Sequence, residues 1–557
     1  MIPYLVCDNF RAATEHSYPV GVHVMMQRNM TNVNAPTNIS APNCLIVGAG
    51  PTGLVAAHEL ARDGIRCRLI DKDAHRATQS RAIAIHPRTV ETFELMGLAE
   101  AFLAAGQRIA AVSTYGDNRR IAHVGFGSLD TRYPFVLGVP QDQTERILEE
   151  HVGRLGVTVE RNTELVGLTQ HGPGIQARLR CGDRVEEVEA DWILGCDGAH
   201  SAVREKLGIS FSGATYPEHF LLADIKVEPD LDHNEAQVWL HGDGPAAFFP
   251  LPEGRWRLIV GNSPPEWRDE PSLAQCQALL DQRGPGGLRL VDPRWISVFR
   301  IHRRIAGHFH QDRAFLLGDA GHIHSPVGGQ GMNMGIQDAF NLAWKLSLVI
   351  GKNGNPALLD SYEAERRPVD EAVVRQTDRA TRLVALHGPV ARFIRDHLMS
   401  LMTRIPLVVD RLGEGMSGLA IDYRGSPIVE DHAMGAPGPH AGDRAPDAVV
   451  DDRQGVPTRL YQLFAQHRHL LLLVGAGGAS PSVMPELGQP TVAVRHITAP
   501  GIAGGDLFDR TGETAARYGS GDMAYLVRPD GYVGLRCARN DLPNRLPAHL
   551  AKLFSPT

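Results

Sequence analysis

An acidic residue beside a glycine-rich loop stands in the second half of this chain. Gly318-Asp319 ends a short apolar run, Ala314 to Leu317, and the loop that follows leads into a helical pattern near Met332. A carboxylate at a strand end can accept hydrogen bonds from ligand hydroxyls, and glycines let backbone amides approach a ligand closely. A helix N-terminus adds free N–H groups and a partial positive charge. Residues 313–346 therefore predict a site for a polyhydroxylated, electron-rich ligand.

A second glycine-rich stretch, GAGPTG, lies nearer the N-terminus between an apolar strand pattern and a helical pattern. In such a unit the first glycine permits the tight turn, the second lets the backbone approach a pyrophosphate, and the third lets the helix pack on the strand. An acid about 20 residues further on accepts from ribose hydroxyls. The context favours a dinucleotide site over a loop that merely turns the chain. The predicted contacts are Gly48, Gly50, Pro51, Thr52, Gly53 and Asp71.

Three further polar groups stand at or near predicted strand ends. Arg81 follows the dinucleotide unit by one loop. Because a guanidinium suits the geometry of a phosphate, contact with a phosphate or ligand is favoured over a chance position on the surface. Gln141 opens an amphipathic helix, and on its own it fits a cap or a surface residue. Asp197-Gly198 repeats the pattern of strand end, acid and glycine, although locally an ordinary strand-to-helix turn explains it equally well.

Residues 209–304 change character to short alternating apolar runs, which predict an antiparallel sheet inserted into the dinucleotide domain. AAFFPLPEGRWRLIV, from Ala246 to Val260, is a hairpin signature. Such a sheet can form a wall for an apolar substrate. Phe248, Phe249 and Pro250 are candidates for that wall, with plain core packing as the alternative.

The pattern divides the 557 residues into several parts. We expect a disordered leader (1–42), a discontinuous dinucleotide domain (43–208 and 305–412), the inserted sheet (209–304), a linker (413–440) and a C-terminal unit (441–557). The net charge of −7 gives no basic footprint for nucleic acid. Seven scattered cysteines without a close pair predict a reducing, cytoplasmic setting. Apolar runs fall short of the roughly 20 residues that span a bilayer.

Taken together, three segments resemble the fingerprints of the FAD-dependent single-component aromatic hydroxylases, the class A flavoprotein monooxygenases. These are GAGPTG with Asp71, GCDGAHSAVR at 195–204, and GDAGHIHSPVGGQGMNMGIQDAFNLAWKL at 318–346. The C-terminal unit resembles the thioredoxin-like domain, without a redox pair, of the phenol and polyketide hydroxylase branch. The resemblance covers residues 43–557. It implies an α/β fold with a Rossmann-like FAD-binding domain, an inserted antiparallel-sheet substrate domain and a C-terminal thioredoxin-like domain.

The resemblance also implies roles for residues along a bound FAD. The first fingerprint would hold the pyrophosphate and ribose, with Arg81 and Gln141 further along the cofactor. Asp197 and Gly198 belong to the motif linked with both FAD and the pyridine nucleotide. The ribityl chain and the isoalloxazine ring would meet Gly318, Asp319, Pro326, Gly328, Gly329, Gly331, Met332 and Asn333. Asp224 matches a recurring acid in the first strand of the substrate sheet and joins the substrate-binding candidates.

The implied activity is a monooxygenase reaction. NAD(P)H would bind transiently and reduce FAD, and O2 would then give a C4a-hydroperoxyflavin that hydroxylates a phenolic or polyketide-like aromatic substrate. The sequence names no catalytic base. His322 and His324 supply only two metal ligands with no third nearby in the sequence, which favours structural histidines over a metal site. The implied partners are the aromatic substrate, O2 and NAD(P)H, without nucleic acid or membrane, and a homodimer is left open.

Two other functions stay open at this point. One is another FAD oxidoreductase of the same fold, namely an epoxidase, a Baeyer–Villiger-type oxygenase or a dehydrogenase. A flavin halogenase is disfavoured because the chain has no W-x-W-x-I-P stretch. The other is a catalytically idle FAD-binding protein that serves assembly, which the three intact fingerprints disfavour.

Overall fold

The computed structural model describes most of the chain from residue 42 onwards. The described ranges are 42–77, 82–264, 267, 271–325, 328–384, 388–466, 468–475, 492–502 and 505–555. The predictions for the leader, for Arg81 and for Pro326 lie outside these residues.

The first part of the chain builds a parallel sheet with helices against it. Its central strands, CLIV and WILG, are short apolar runs, as expected for strands covered on both faces. The elements are β1 (Cys44–Val47), α1 (Pro51–Arg62), β2 (Cys67–Ile70), β3 (Ala84–Ile85), α2 (Pro87–Leu95), α3 (Ala99–Ala105), β4 (Gln107–Ile109), β5 (Ala111–Gly116), β6 (Arg119–Gly125), β7 (Val136–Gly138), α4 (Gln141–Arg154), β8 (Val159–Glu160), β9 (Thr163–His171), β10 (Gly174–Cys181), β11 (Arg184–Ala190), β12 (Trp192–Gly195) and α5 (Ala202–Lys206).

The middle part contributes most of a large second sheet and then returns to the first. Its elements are β13 (Phe211–Glu228), β14 (Glu235–Leu240), β15 (Ala246–Leu251), β16 (Arg255–Gly261), α6 (Leu273–Arg283), β17 (Arg289–Ala306), β18 (His310–Gln311), β19 (Ala314–Leu316), a 3-10 turn (Gly318–Ala320) and β20 (His322–Ile323). The parallel sheet has the order β18-β19-β12-β1-β2-β8, with the short β18 antiparallel at its edge. The strand before Asp319 therefore lies beside the strand before Asp197.

The second sheet has eight strands in the order β20-β17-β13-β16-β15-β14-β5-β6. The predicted insert, 209–304, accounts for the five strands β13 to β17, while β5, β6 and β20 come from outside it. β20 pairs with the end of β17, opposite Arg304 and Ile305. Hydrogen bonds therefore join this sheet directly to the segment that follows Asp319.

Side-chain alternation gives the second sheet two different faces. One face turns Leu221, Phe248 and Trp256 into a core that α6 also enters. The neighbouring residues Leu222, Phe249 and Arg257 turn to the opposite face because successive side chains point to opposite sides of a strand.

The last part of the chain adds long helices and a third sheet. Its elements are α7 (Gln330–Ile350), a 3-10 turn (Pro356–Leu359), α8 (Asp360–Val384), α9 (Pro389–Met402), α10 (Pro406–Ser417), β21 (Glu430–Asp431), β22 (Val449–Asp451), β23 (Pro457–Arg459), α11 (Leu460–Phe464), β24 (His469–Val474), β25 (Val492–Thr498), β26 (Leu507–Phe508), α12 (Glu513–Tyr518), β27 (Met523–Val527), β28 (Val533–Ala538), a 3-10 turn (Arg539–Asp541) and α13 (Leu542–Leu553). The third sheet is mixed, since β24 pairs parallel to β25 and antiparallel to β27.

The cysteines and helices of the described segments bear on two of the sequence predictions. The six cysteines within these segments are free thiols. Among the helices placed by the structure, none combines the length and the apolar character needed to cross a membrane.

Candidate functional site

The GAGPTG loop lies at the carboxyl ends of the parallel strands and is shaped for close approach. Gly48 has φ +101°, and a Cβ there would lie 2.3 Å from the carbonyl oxygen of Cys196. A Cβ on Gly53 would lie 1.9 Å from the carbonyl oxygen of Gly48. By contrast, no described atom lies within 4 Å of the Cβ position at Gly50. Gly50 is also the N-cap of α1 and provides no side-chain cap, so the first N–H groups of the helix are available to an anion.

Asp71 is oriented towards this loop by backbone amides. Its Oδ2 accepts from the Ala49 N–H (2.7 Å), and its Oδ1 accepts from the Asp73 N–H (2.9 Å). Arg161 lies 3.9 Å from Oδ2. The predicted ribose-binding acid is thus fixed beside the predicted pyrophosphate loop.

The second fingerprint, at the end of β12, contains an incompletely paired acid. Asp197 Oδ2 accepts from the Val203 N–H (3.1 Å), but its buried Oδ1 has no hydrogen-bond partner in the described part of the chain. Burial raises the pKa of Asp197. Gly198, next to it, has φ +77°, which favours glycine. A buried acceptor without a partner fits a ligand that donates a hydrogen bond there.

Arg204 joins the second fingerprint to the third. Its Nη1 donates to the carbonyl oxygen of Ala320 (2.9 Å) and its Nη2 to that of Ala199 (2.9 Å). The guanidinium also lies 3.8 Å from the ring centroid of Phe211. The sequence placed Arg204 on a helix but gave no sign of these contacts.

The first and third fingerprints meet at Thr52. A Cβ on Gly318, which has φ +58°, would lie 2.8 Å from Thr52 Oγ1, and one on Gly335 would lie 2.3 Å from the same atom. The glycines therefore allow α7 and the Gly318 turn to pack directly on α1. Asp319, in the middle of that turn, is exposed.

The start of α7 is held by the side chain of Asn333. Its Oδ1 accepts from the His86 N–H (2.9 Å), and its Nδ2 donates to the carbonyl oxygens of Ala84 (2.8 Å) and Gly329 (2.7 Å). Asn333 thus positions the loop, and its side chain is occupied by protein contacts. Gly328 and Gly329 have φ +87° and +65°, and Gly329 caps α7 without a side chain, so the helix N-terminus faces the loop uncapped. Gly331 and Met332 form the first turn of α7.

Gln141, the first residue of α4, also holds a neighbouring segment. Its Oε1 accepts from the Ala82 N–H (3.2 Å), and its Nε2 donates to Glu145 Oε1 (2.9 Å). These bonds tie α4 to the segment that follows Arg81.

Four charged side chains form a buried cluster beneath the Gly318 turn, which we call the turn cluster: His322, Asp338, Arg366 and Asp370. Asp338 Oδ2 accepts from the Gly318 N–H (2.9 Å) and from His322 Nε2 (2.7 Å). Arg366 Nε donates to Asp338 Oδ1 (2.6 Å). Asp370 Oδ2 lies 3.5 Å from His322 Nε2 and is buried without a hydrogen-bond partner among the described residues.

The protonation of the turn cluster follows from its contacts. Burial opposes charge on His322, but the carboxylates of Asp370 and Asp338 outweigh it and raise its pKa to about 9. Burial raises the pKa of Asp370 to about 7. Burial would also raise the pKa of Asp338, yet Arg366 and His322 lower it to about 2.

The turn cluster also brings potential metal ligands close to His322 that are distant from it in the sequence. Potential ligand atoms of His322, Asp338 and Asp370 all lie within 4.8 Å of one another. The sequence hid this cluster because the two acids stand on α7 and α8. Arg366 already supplies these carboxylates with the positive charge that a metal ion would bring. That no metal binds here stays a prediction.

Two further histidines flank the glycine loop as neutral groups. His86 Nε2 donates to the carbonyl oxygen of Gly328 (2.9 Å), and His324 Nδ1 donates to that of Ser325 (2.8 Å). Burial lowers the pKa of each to about 4. The other ring nitrogen of each is buried and has no partner within the described ranges. His86 was missed by sequence reasoning, since its only local signal is the proline that follows it.

A small, partly open pocket lies beside His86, at the uncapped start of α7. Its lining includes Arg88, Asn333, Gln337 and Ile421. The wall near Ile421 belongs to the segment after α10, which the sequence described only as part of a linker.

The substrate-wall candidates fall on both faces of the second sheet. Phe248 is fully buried in the core under α6, packed edge-on against Trp239 and Trp256. Phe249 lies on the opposite face, where Ala84, Met416 and Leu419 pack against the same cluster. Pro250 is also buried, and its carbonyl oxygen crowds Gly138.

Asp224 lies on the same face as Phe249 but is occupied by an ion pair. It is buried, bound by the guanidinium of Arg257, and it accepts from Trp295 Nε1 (3.0 Å). Since its carboxylate is paired on two sides, Asp224 organises this face of the sheet.

Comparison with protein-family models places two matches on the chain. A model described as "FAD binding domain" matches residues 42–377, and one described as "Aromatic-ring hydroxylase, C-terminal" matches residues 438–557.

Individual proteins give the same result over nearly the whole chain. The chain is 37% identical to 6-methylpretetramide 4-monooxygenase from Streptomyces rimosus, covering 92% of this chain and 94% of that protein. It is 32% identical to pentachlorophenol 4-monooxygenase from Sphingobium chlorophenolicum, covering 92% and 97%. Among solved structures, it resembles the OxyS anhydrotetracycline hydroxylase from Streptomyces rimosus with a TM-score of 0.76 and 30% identity, covering 92% and 99%.

Proposed function

The chain belongs to the FAD-dependent aromatic-ring hydroxylases, which are monooxygenases, and from this premise we propose that it hydroxylates a phenolic ring of a polyketide-like substrate. The similarity to 6-methylpretetramide 4-monooxygenase supports the polyketide-like class, and that to pentachlorophenol 4-monooxygenase supports the phenol. We further propose NAD(P)H and O2 as co-substrates and the division into domains given by the sequence.

The residues around the parallel sheet fit FAD. Gly48 to Gly53 and the start of α1 would hold the pyrophosphate, Asp71 the ribose, and Asp319 the ribityl chain. The unpartnered Asp197 Oδ1 and the open side of Gly50 support this fit. When bound, FAD supplies the redox chemistry that takes up a hydride from NAD(P)H and activates O2.

The protein's own residues would bind, orient and shield. The uncapped start of α7 would present N–H groups and positive potential to the ring end of a bound cofactor, which would favour negative charge there. The sheet face that carries Phe249 would cover the substrate and keep out water. Excluding water from the site prevents side reactions.

One observation carries the proposal. β20 joins the Phe249-bearing sheet to the turn of Asp319, and that turn packs on the GAGPTG helix through Thr52. The predicted cofactor loops and substrate wall are thus linked by strand pairing on one side of the Gly318 turn and by close packing on the other. A substrate wall on an independent domain would not be held in a fixed position relative to the cofactor loops.

The decisive experiment is a panel of phenols and polyketide-like phenols, each tested with NADH and with NADPH. We expect substrate-stimulated nicotinamide oxidation and a product heavier by one oxygen atom. Nicotinamide oxidation that yields only hydrogen peroxide with every substrate would favour a non-hydroxylating FAD oxidoreductase. A protein that takes up no FAD would contradict the proposal at its base.

Asp319→Ala tests the ribityl assignment. Loss of hydrogen bonds to a charged acceptor costs about 1.5–3 kcal/mol, so we expect FAD affinity to fall by roughly ten- to a hundredfold. Fluorescence titration of FAD-stripped protein measures it. Asp183→Ala, at an exposed hairpin position, is the matched control and should leave the affinity unchanged. Equal affinities in the two variants would refute the assignment.

We also propose that the protein is a homodimer.

A further inference from the structure

Exposed apolar side chains are concentrated on one pair of helices. Of the thirteen large apolar side chains exposed among the described residues, nine lie on α9, α10 and their connection. They are Val390, Phe393, Ile394, Leu398, Leu401, Met402, Ile405, Leu407 and Leu412. Scattered single apolar residues need no explanation, but a contiguous apolar patch marks an interaction site.

The two helices expose their apolar side, whereas ordinary surface helices bury it. The inward side of α9 is polar: Arg395 is buried and donates to Asp396 (2.8 Å). Asp396 Oδ2 in turn lies 2.7 Å from the Cβ position of Gly116 in β5. The connection and α10 are anchored by polar bonds as well, from Thr403 to the Ile121 carbonyl oxygen and from Ser128 to Asp410.

The outward side of α9 is a continuous stripe. Positions 390, 393, 394, 398, 401 and 402 are spaced by three and four residues, so they share one face of α9, and the exposed Ile405 follows in the connection to α10. Phe393 and Leu401 are 62% and 60% exposed at its middle. An apolar stripe of this spacing is the pattern by which one helix packs on another.

We propose that this face, Val390 to Leu412, is the contact surface for a second copy of this chain. With roughly 100 Å² of accessible area on each, the nine side chains present on the order of 900 Å², which matches the ~800 Å² per partner of a standard interface. Two copies related by a two-fold axis would cover each other's stripe, and two-fold dimers are the commonest homo-oligomers.

The charges around the stripe favour self-association over a lipid surface. Arg404, Arg411 and Glu414 are exposed along the helix pair, so the patch carries both signs and can be complementary to itself. Helices that lie on anionic membranes instead have a polar face rich in Lys and Arg. The net charge of −7 adds no attraction to such a membrane.

The interface would bear on the site through α10. This helix ends at Ser417, and the residues around its end reach both site regions. Met416 and Leu419 pack against the same apolar cluster as Phe249, and Gly418 and Ile421 line the pocket beside His86. The proposal stands independently of the proposed reaction, because it rests on surface residues outside the cofactor loops.

Sedimentation velocity on the FAD-loaded full chain, across micromolar concentrations, tests the surface. We expect a dimer for the wild type and a monomer for Phe393→Glu/Leu401→Glu, because two buried, unpaired carboxylates per copy would oppose contact. Val185→Glu, at a single exposed apolar residue on β11, is the matched control and should stay dimeric. FAD absorbance and thermal unfolding check that the variants are folded.

Four outcomes would overturn the proposal. One is a wild type that stays monomeric at every concentration. Another is a folded double variant that stays dimeric. The third is a dimer that is lost when residues 1–41 are deleted but kept in the double variant. Flotation of monomeric wild type with phosphatidylcholine–phosphatidylglycerol vesicles would instead identify the patch as a membrane contact, and would equally overturn it.

Discussion

Two buried charge clusters stand on the same pair of helices, α7 and α8, and are paired to different degrees. The turn cluster lies beneath the Gly318 turn. The second, which we call the hairpin cluster, consists of Lys345, Glu365, Arg528 and Asp530, and it joins the two helices to the β27–β28 hairpin. Both are fully buried.

The hairpin cluster is paired at every oxygen of its central acid. Glu365 Oε1 accepts from Arg528 (2.6 Å) and from Ser426 (2.6 Å). Its Oε2 accepts from Lys345 (2.7 Å), Asn341 (2.7 Å) and Arg528 (2.9 Å). Burial would raise the pKa of Glu365, but Arg528 and Lys345 outweigh it and hold the pKa well below its usual range.

The turn cluster leaves one acid incompletely paired. Asp370 Oδ2 has no hydrogen bond within the described chain, and its pKa lies near neutrality. Burial alone therefore does not fix the charge of an acid. Complete pairing makes an acid permanently ionised, whereas incomplete pairing leaves its proton responsive to pH, here next to the predicted cofactor turn.

The largest expected effect is that of Glu365→Gln. The variant leaves Lys345 and Arg528 buried with a missing counter-charge, and breaking a buried pair in this way costs about 3–5 kcal/mol. Urea unfolding of the FAD-loaded protein measures the change. A loss below about 1 kcal/mol would mean that the hairpin cluster does not hold the hairpin to the helices.

Asp338→Asn should have the next largest effect. It removes the charge between His322 and Arg366 but keeps an amide that can accept from Gly318, so we expect a loss of about 2–3 kcal/mol. FAD affinity should fall as well, since the Gly318 N–H fixes the turn of Asp319. The two readouts are urea unfolding and FAD titration. Unchanged FAD affinity would separate the turn cluster from the cofactor site.

Asp370→Asn should alter the pH dependence of stability. The folded-state pKa of Asp370 is raised from 3.8 to about 7, so its stabilising contribution is fully present below pH 3.8 and is lost as pH rises through 7. Asp370→Asn has no carboxyl group to titrate at this position. Between pH 5 and pH 7.5 its free energy of unfolding should therefore fall by on the order of 1–2 kcal/mol less than that of the wild type.

The variant also removes a carboxylate that raises the pKa of His322. Wild-type His322 contributes stability below pH 6.5 that is lost as pH rises through about 9, and this loss should move to lower pH. Urea unfolding of both proteins at matched pH values is the measurement. Parallel pH profiles for the two proteins would rule out Asp370 as the titrating group.

The smallest expected effect is that of Glu371→Gln, next to Asp370 on α8. Glu371 also faces arginines, Arg367 at 3.2 Å and Arg375 at 3.5 Å, but it is 39% exposed. Exposed pairs are worth about 0–1 kcal/mol, so we expect a loss of less than about 0.5 kcal/mol. A loss as large as that of Glu365→Gln would show that burial is not what separates the two clusters.

The amino-acid sequence was sufficient to predict the local elements of the proposed cofactor site. GAGPTG, Asp71, Asp197 and Gly318-Asp319 each depend on a strand, a turn and a helix that follow one another directly, so neighbouring residues define them. It also determined the alternation of Phe248 and Phe249. It did not determine which of the two side chains faces the core. Both residues are apolar, and only the packing of another layer against the sheet decides which face is buried.

Which distant residues meet depends on tertiary packing. Asp338 and Asp370 stand on separate helices, and their convergence on His322 depends on how α7 and α8 pack beneath the Gly318 turn. The outward apolar stripe of α9 is equally invisible in the sequence, where an amphipathic helix predicts an inward apolar face. Periodicity defines the faces of an element, but the direction in which each face points is set by long-range packing.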